Sequence, residues 1–243
     1  MDLNAPWLLL DAPPMICAPA RPGWFWNRVR APSPVVQAAV ESGGLRLQEP
    51  GALPYSVAKA AEDLIGLIPS LSRIAEQSIL AVHVLSAEPG FDVSHSEPRW
   101  RAVVFVSKPE RTDRVGALRL AEGVIHEAMH LHLTNAEEIT PLVNDFQGRM
   151  PSPWRAESRS YQGVLHALFV FTCLAAYFRQ IRQSNLGQDG CRLHTEVRLS
   201  EIRSEMARLD ISRLVAGLTA RGAELAAFWH ALAANADSPG AAR

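Results

Sequence analysis

The sequence is poor in cysteine, nearly neutral in charge and without a long uninterrupted hydrophobic run. Its 243 residues contain three cysteines, and none of them has the C-x-x-C spacing of a cysteine-based zinc site. The odd count also argues against a disulfide framework, so the composition favours a reducing, cytoplasmic compartment. The formal net charge of −1 argues against a general nucleic-acid or anionic-membrane partner.

The apolar segments are too short or too interrupted for export or membrane insertion. No positive segment precedes the apolar run at 7–10, which is shorter than the core of a signal peptide. The longest apolar stretch, 164–178, is interrupted by His166 and falls short of a membrane span. We therefore expect a soluble globular chain, and 48% hydrophobic with 20% charged residues is the usual balance for one.

Helical periodicity dominates the chain, and β-branched residues concentrate in two short segments. Residues 1–34 are rich in proline and tryptophan and predict an irregular arm, while 237–243 predict a frayed tail. Segments 79–85 and 102–107 predict two strands, which their close spacing would pair antiparallel. Helices are predicted over 34–40, 56–77 with a kink or break at Pro69, 115–135, 161–183, and twice within 195–234. The sequence thus predicts one mainly α domain over 1–243 with a small antiparallel β element, an α+β fold.

The strongest chemical signal is the motif H-E-A-M-H at 126–130, on a predicted helix. Residues i and i+4 lie about 40° apart around a helix, so His126 and His130 project from one face and can share a divalent ion. Neutral imidazole suits zinc, iron, copper or nickel, so the pair does not name the metal. The alternative is two surface histidines beside a solvated Glu127, against which the apolar flanks of the motif predict burial.

A metal site built on this motif needs a third ligand. The extended form H-E-x-x-H-x-x-G-x-x-H is absent, because its glycine and its third histidine are missing here. Glu137 and Glu138 follow too closely on the same helix to reach the ion, whereas Glu157 stays open as a ligand. The preferred candidate is His166, the polar interruption of an apolar helix that can face the first. Such a histidine alone is more often a satisfied core residue.

A polar, proline-bearing connection is predicted between these two helices, over 136–160. It contains Trp154 and two arginines four residues apart, Arg155 and Arg159. A planar guanidinium can bind a carboxylate through two parallel hydrogen bonds. The segment therefore predicts a carboxylate-binding loop, and the alternative is a solvated loop in which Glu157 pairs with an arginine.

Three elements in this order, H-E-A-M-H, P-W-R-x-x-x-R and G-V-L-H-A-L-F-V-F, resemble the H-E-x-x-H peptide-modification family. Its members occur alongside ribosomally made, post-translationally modified peptides and include enzymes regarded as iron- and 2-oxoglutarate-dependent hydroxylases. The resemblance covers residues 115–180, with weaker similarity over 79–107. The chain departs from the family pattern at 157–160, where D-P-R-P is frequent, and at Ala167, where a glycine commonly follows the third histidine.

The resemblance implies that three histidines hold Fe(II): His126, His130 and His166. It implies that Arg155 or Arg159 anchors the far carboxylate of 2-oxoglutarate, with Trp154 in the same pocket. Glu127 would lie behind the ligands or in the substrate pocket, because it points about 100° away from His126. The implied reaction uses O2 to hydroxylate a residue of a ribosomally synthesised peptide, at a side-chain carbon.

Two other functions stay open from the residues alone. A zinc metallopeptidase would use Glu127 as the general base for a zinc-bound water. A metal-stabilised module would instead present a peptide to another enzyme without turnover, and would tolerate loss of both arginines. Between the predicted strands, Asp92 and His95 are candidates for the substrate cleft, although a turn held by Asp and Ser side chains explains them equally well.

Overall fold

The structure, a computed structural model, describes residues 5–9, 20–97, 99–184 and 190–234. The chain divides into two compact units, which we describe separately. The sheet unit comprises 15–132 with 184–194, and the helical unit comprises 1–14, 133–183 and 195–243. The predicted tail at 237–243 and part of the predicted arm lie outside the described residues. The single domain over 1–243 stays a prediction.

The sheet unit contains a four-stranded sheet and the helices that pack with it. Its strands are β1 Arg46–Gln48, β2 Ala81–Ser86, β3 Ser94–Ser96 and β4 Val103–Ser107. Its helices are α1 Pro34–Ser42, α2 Tyr55–Ile65, α3 Pro69–Ser78 and the first part of α4 Arg114–Glu137. The order across the sheet is β1-β2-β4-β3.

The two strands predicted from the sequence pair in parallel, so the antiparallel prediction is wrong. Their register runs from Ala81 opposite Val103 to Leu85 opposite Ser107. The connection between them contains β3, which the sequence does not predict and which pairs antiparallel with the far side of β4. After β2, the chain therefore crosses over the place that β4 will occupy and forms β3 at the edge of the sheet. It then turns back to form β4 between β2 and β3, so β4 runs parallel to β2.

Proline and serine set the beginnings of the early helices. Ser33 precedes α1 and accepts a hydrogen bond from the N–H of Val36, with Pro34 at the first helical position. Pro69 splits the helix predicted over 56–77, because it begins α3. Proline is favoured at a first helical position, since its missing N–H would have no partner within the helix.

Two buried glutamates hold the described part of the predicted N-terminal arm. Glu62 accepts hydrogen bonds from the N–H groups of Gly23 at 2.6 Å and Phe25 at 2.9 Å. Glu76 accepts from the guanidinium groups of Arg21 at 2.5 Å and Arg73 at 2.7 Å. The segment is thus irregular, as predicted, and fixed to α2 and α3 by charged hydrogen bonds.

The helical unit contains the last turns of α4, a β-hairpin and a group of helices. The hairpin strands are β5 Arg149–Ser152 and β6 Arg155–Ser160, within the segment predicted as a loop over 136–160. The helices are α5 Tyr161–Gln183, most of α6 Cys191–Ala207, α7 Ile211–Ala216 and α8 Ala220–Ala234. Three helices thus occupy the region predicted to hold two, because a short α7 intervenes. The mainly helical α+β class is confirmed.

Helix α5 forms the core of the helical unit. By length and composition it could cross a membrane, with a mean hydropathy of 1.5, but 83% of its apolar window is buried within the protein. Its Phe169 packs against Trp229 of α8, with ring centroids 4.7 Å apart. Burial of this kind is typical of the core helix of a soluble protein.

Candidate metal centre

The helix that carries the H-E-x-x-H motif begins at a well-defined cap. The Asp113 carboxylate accepts hydrogen bonds at 3.1 Å from the N–H groups of Val115 and Gly116. A hydrogen bond from Arg111, together with these backbone donors, lowers the pKa of Asp113 to about 2. An ionised carboxylate at this position satisfies N–H groups that have no partner within the helix. This cap therefore fixes the residue at which α4 begins.

The side chains of His126 and His130 come together as predicted. Their ring centroids lie 4.9 Å apart at an interplanar angle of 61°, and both residues are half-buried. An ion about 2.1 Å from one nitrogen of each ring, at a near-tetrahedral angle, separates the centroids by about 5 Å. The pair therefore fits a shared divalent ion.

The motif glutamate, Glu127, is buried and engaged with the edge strand. Its two carboxylate oxygens accept hydrogen bonds from the hydroxyl groups of Ser94 and Ser96, each at 2.6 Å. One turn earlier, Gly123 lies close to β3, and a Cβ added there would stand 3.5 Å from the Cβ of Ser94. Glu127 therefore ties α4 to β3.

The sequence does not predict the contact of Ser94 and Ser96 with Glu127. The two serines alternate with His95, so their side chains leave β3 on the face toward α4 and that of His95 on the opposite face. The ring centroids of His95 and Phe105 lie 6.1 Å apart, and Nε2 of His95 lies 3.2 Å from Oε1 of Glu97. The S-H-S alternation was the available signal, but it does not indicate which partner the serines have.

In the helical unit, His166 is paired with a carboxylate. Its Nε2 lies 2.8 Å from Oε2 of Glu137, and the same oxygen accepts from the amide of Gln162 at 2.9 Å. From the sequence, Glu137 is expected not to reach an ion held by the motif histidines. Its contact with His166 is not predicted by the sequence.

Arg159 is half-buried near the start of α5. A Cβ added to Gly163 would lie 3.2 Å from its Nε, so the absence of a side chain there makes room for the guanidinium. Burial lowers the pKa of Arg159, and the positive charge of Arg155 lowers it further. Among the described residues no carboxylate pairs with Arg159. Arg155 is exposed on the same hairpin strand.

The remaining predicted site residues of the hairpin have other surroundings. The ring of Trp154 stacks on Phe171 of α5, with centroids 5.4 Å apart and planes 6° from parallel. Glu157 is exposed on β6. The role of Trp154 in a cosubstrate pocket stays a prediction.

Two clusters thus emerge, one in each unit. In the sheet unit, the motif histidines and Glu127 lie on the same helix. In the helical unit, His166 contacts Glu137. Among the described residues, no group of three or more His, Cys, Asp or Glu side chains is arranged to hold one metal ion. The predicted set of His126, His130 and His166 draws on both units and stays a prediction.

Comparison with known proteins adds no assignment. No protein-family model matches the chain, and no curated protein matches its sequence. Any functional conclusion therefore rests on the residues and contacts described above.

Proposed function

We propose that this protein is an Fe(II)- and 2-oxoglutarate-dependent oxygenase that hydroxylates a residue of a ribosomally synthesised peptide. The observation that carries the proposal is the pair of His126 and His130, whose ring centroids lie 4.9 Å apart, a separation compatible with a shared ion. The order of sequence elements that resembles the peptide-modification family supplies the reaction class. A cytoplasmic location is part of the proposal, and the buried thiols of Cys173 and Cys191, which form no disulfide among the described residues, support it.

The proposed third ligand is His166. A histidine that binds a metal through one ring nitrogen usually bonds to a carboxylate through the other. The contact of His166 Nε2 with Glu137 is of this kind.

Arg159 is the proposed anchor for the far carboxylate of 2-oxoglutarate. Its charge is partly desolvated and lies near that of Arg155, and no described carboxylate neutralises it. An anionic ligand would relieve both conditions. Gly163, beside Arg159, lies three residues before His166 on α5, so the guanidinium and the proposed ligand are one helical turn apart along the same helix.

Glu127 is proposed as a positioning residue. Both of its oxygens are engaged by serine hydroxyls, so its surroundings support a role in fixing α4 against β3 more than a role as the base of a zinc peptidase. With iron and 2-oxoglutarate bound, the cofactor would supply the oxidising power to hydroxylate a carbon. The chain's own part is to orient the ligands, bind the cosubstrate through Arg159 and exclude water.

The proposal is tested by incubating anaerobically purified protein with Fe(II), 2-oxoglutarate, air and a candidate precursor peptide. We expect succinate and a mass gain of one oxygen in the peptide. Cleavage of the peptide would favour the zinc peptidase, and metal binding without succinate or mass change would favour the presenting module.

A histidine pair of variants tests the third ligand directly. After desalting, His166→Ala is expected to retain at least about tenfold less iron than the wild-type protein, as measured by metal analysis. His194→Ala is the matched control, because His194 also bonds to a glutamate, Glu122, at 3.4 Å and belongs to no predicted site. Equal iron retention by the two variants would contradict the assignment of His166.

A further inference from the structure

The strand β3 has an open edge. The sheet order ends at β3, and no other described strand pairs with it. The N–H of Ser107 in β4 donates to the C=O of Val93 at 2.8 Å, so Val93 faces β4. Main-chain groups in an antiparallel pair point alternately toward and away from the partner strand. His95 therefore also faces β4, while Ser94 and Ser96 turn their N–H and C=O groups to the open edge.

The motif histidines lie on α4 beside the residue that contacts β3. Glu127 marks the side of the helix that contacts β3, because it bonds to both serines. Around the helix in one direction, by about 60° and 100°, lie the fully buried Val124 and Ala128. In the other direction, by the same angles, lie the half-exposed His130 and His126. The histidines thus lie beside the contact with β3, on the more exposed of the two flanks of Glu127.

A third contact on α4 supports this orientation. Arg119 leaves the helix from the same side as the two histidines, since it precedes His126 by seven residues. Its guanidinium forms an ion pair with Asp92, two residues before β3 begins. The histidine side of α4 therefore also contacts the segment that leads into β3.

We propose that β3 binds an extended segment of the peptide substrate as an additional strand, held by the main-chain groups of Ser94 and Ser96. These two residues offer two N–H donors and two C=O acceptors with the two-residue spacing of a strand, which only an extended main chain matches. The identity of the occupant as a substrate peptide rests on the proposed function. A helical or folded partner would leave these groups unmatched.

This binding mode also sets which substrate side chains reach the histidines. Successive side chains of a strand alternate between the two faces of a sheet. Substrate residues opposite Ser94 and Ser96 would point toward α4, as the serine side chains do, and those between them would point away. Main-chain bonds would thus give affinity for many sequences, while the modified residue is selected by its position in the strand.

The test compares Ser96→Pro with Ser96→Ala. Proline removes the outward N–H and places a ring at the edge, a substitution that edge strands tolerate. Alanine is the matched control, because it loses the same hydroxyl contact with Glu127 but keeps the N–H. The probe is a phage-displayed library of random linear peptides, selected on the full-length, metal-loaded wild-type protein.

We expect enriched peptides to bind the alanine variant nearly as well as wild type, and the proline variant about tenfold or more weakly. N-methylation of single amides in an enriched peptide should also weaken binding to the wild-type protein, a result independent of how either variant folds. Equal binding to both variants, or no enrichment of any peptide, would overturn the proposal. So would a dimer that Ser96→Pro abolishes and peptides do not displace, because a second copy would then occupy the edge.

The outcomes separate this inference from the proposed function. Peptides that require the edge but gain no oxygen would leave the inference standing and remove the oxygenase. Hydroxylation that proceeds equally in wild type and Ser96→Pro would do the reverse.

Discussion

The two glutamates of helix α4 that contact predicted site elements have opposite surroundings. Glu127, inside the H-E-x-x-H motif, is bound by two serine hydroxyls of β3. Glu137, outside the motif, is bound by a histidine and an amide of α5. The first therefore joins a helix to a strand, and the second orients an imidazole.

This difference shows that the H-E-x-x-H pattern alone does not determine what each glutamate does. In a peptidase the glutamate of the motif must face a metal-bound water, yet here its oxygens are directed to the protein. The carboxylate with a contact typical of a metal site is the one that the motif does not include. Hydrogen-bond partners, and not position within the pattern, distinguish the two.

The largest expected effect comes from removing the glutamate of the sheet unit. Glu127→Ala should lower the free energy of unfolding by about 3 kcal/mol, because two hydroxyl donors lose their acceptor in a buried position. Glu127→Gln, which keeps one acceptor oxygen, should cost about 1 kcal/mol. Chemical denaturation measures both.

A double-mutant cycle with Ser94→Ala and Ser96→Ala should show strong coupling to Glu127, since the residues share the same hydrogen bonds. Additive effects in the cycle would contradict this structural role. If, in addition, Glu127→Gln kept full stability but had no activity, Glu127 would be assigned to catalysis.

The next effect concerns the glutamate of the helical unit. Glu137→Ala should weaken metal affinity about 10- to 100-fold, the usual result of removing a carboxylate behind a histidine ligand. Its neighbour Glu138 is exposed and lies one residue beyond the end of α4, and Glu138→Ala serves as the control for the loss of a nearby charge. Competition with a metal-sensitive dye gives both affinities. A similar loss in both variants would mean that net charge, and not the bond to His166, is responsible.

The sequence predicts the two long helices well, and their partners poorly. Helices α4 and α5 follow from apolar periodicity, and α5 has the bounds that were predicted. The contact of Glu127 with Ser94 joins segments 33 residues apart, and that of Glu137 with His166 joins segments 29 apart. Periodicity describes which face of an element is buried, but it does not specify which polar side chain stands opposite.

Local sequence patterns also predict the strands poorly, but for a different reason. Pairing direction depends on the route of the connection, and the short β3 within that connection carries polar residues that resemble a turn. The hairpin β5–β6 is equally polar, and its strands expose most of their side chains. Exposed, charged strands lack the alternation on which a strand prediction depends.

A smaller effect is expected from the arginines of this hairpin. Arg159→Ala should raise the KM for 2-oxoglutarate about tenfold, the loss expected for one partly buried charged hydrogen bond. Arg155→Ala should raise it only about two- to threefold, because an exposed charge contributes less than about 1 kcal/mol. Initial rates over a range of 2-oxoglutarate concentrations give both constants. A larger effect at Arg155 would reverse the assignment of the anchor.

The smallest effect compares a glycine from each unit. A Cβ at Gly163 would come within 3.2 Å of Arg159 Nε, whereas one at Gly123 would meet Ser94 at an ordinary 3.5 Å. Gly163→Ala should therefore displace the guanidinium and raise the KM for 2-oxoglutarate by about twofold, a small shift because a flexible side chain can move by a few tenths of an ångström. Gly123→Ala should raise thermal stability through helix propensity without this rise in KM. If Gly163→Ala left the KM unchanged while Arg159→Ala raised it, the arginine would bind the cosubstrate from a position other than the one beside α5.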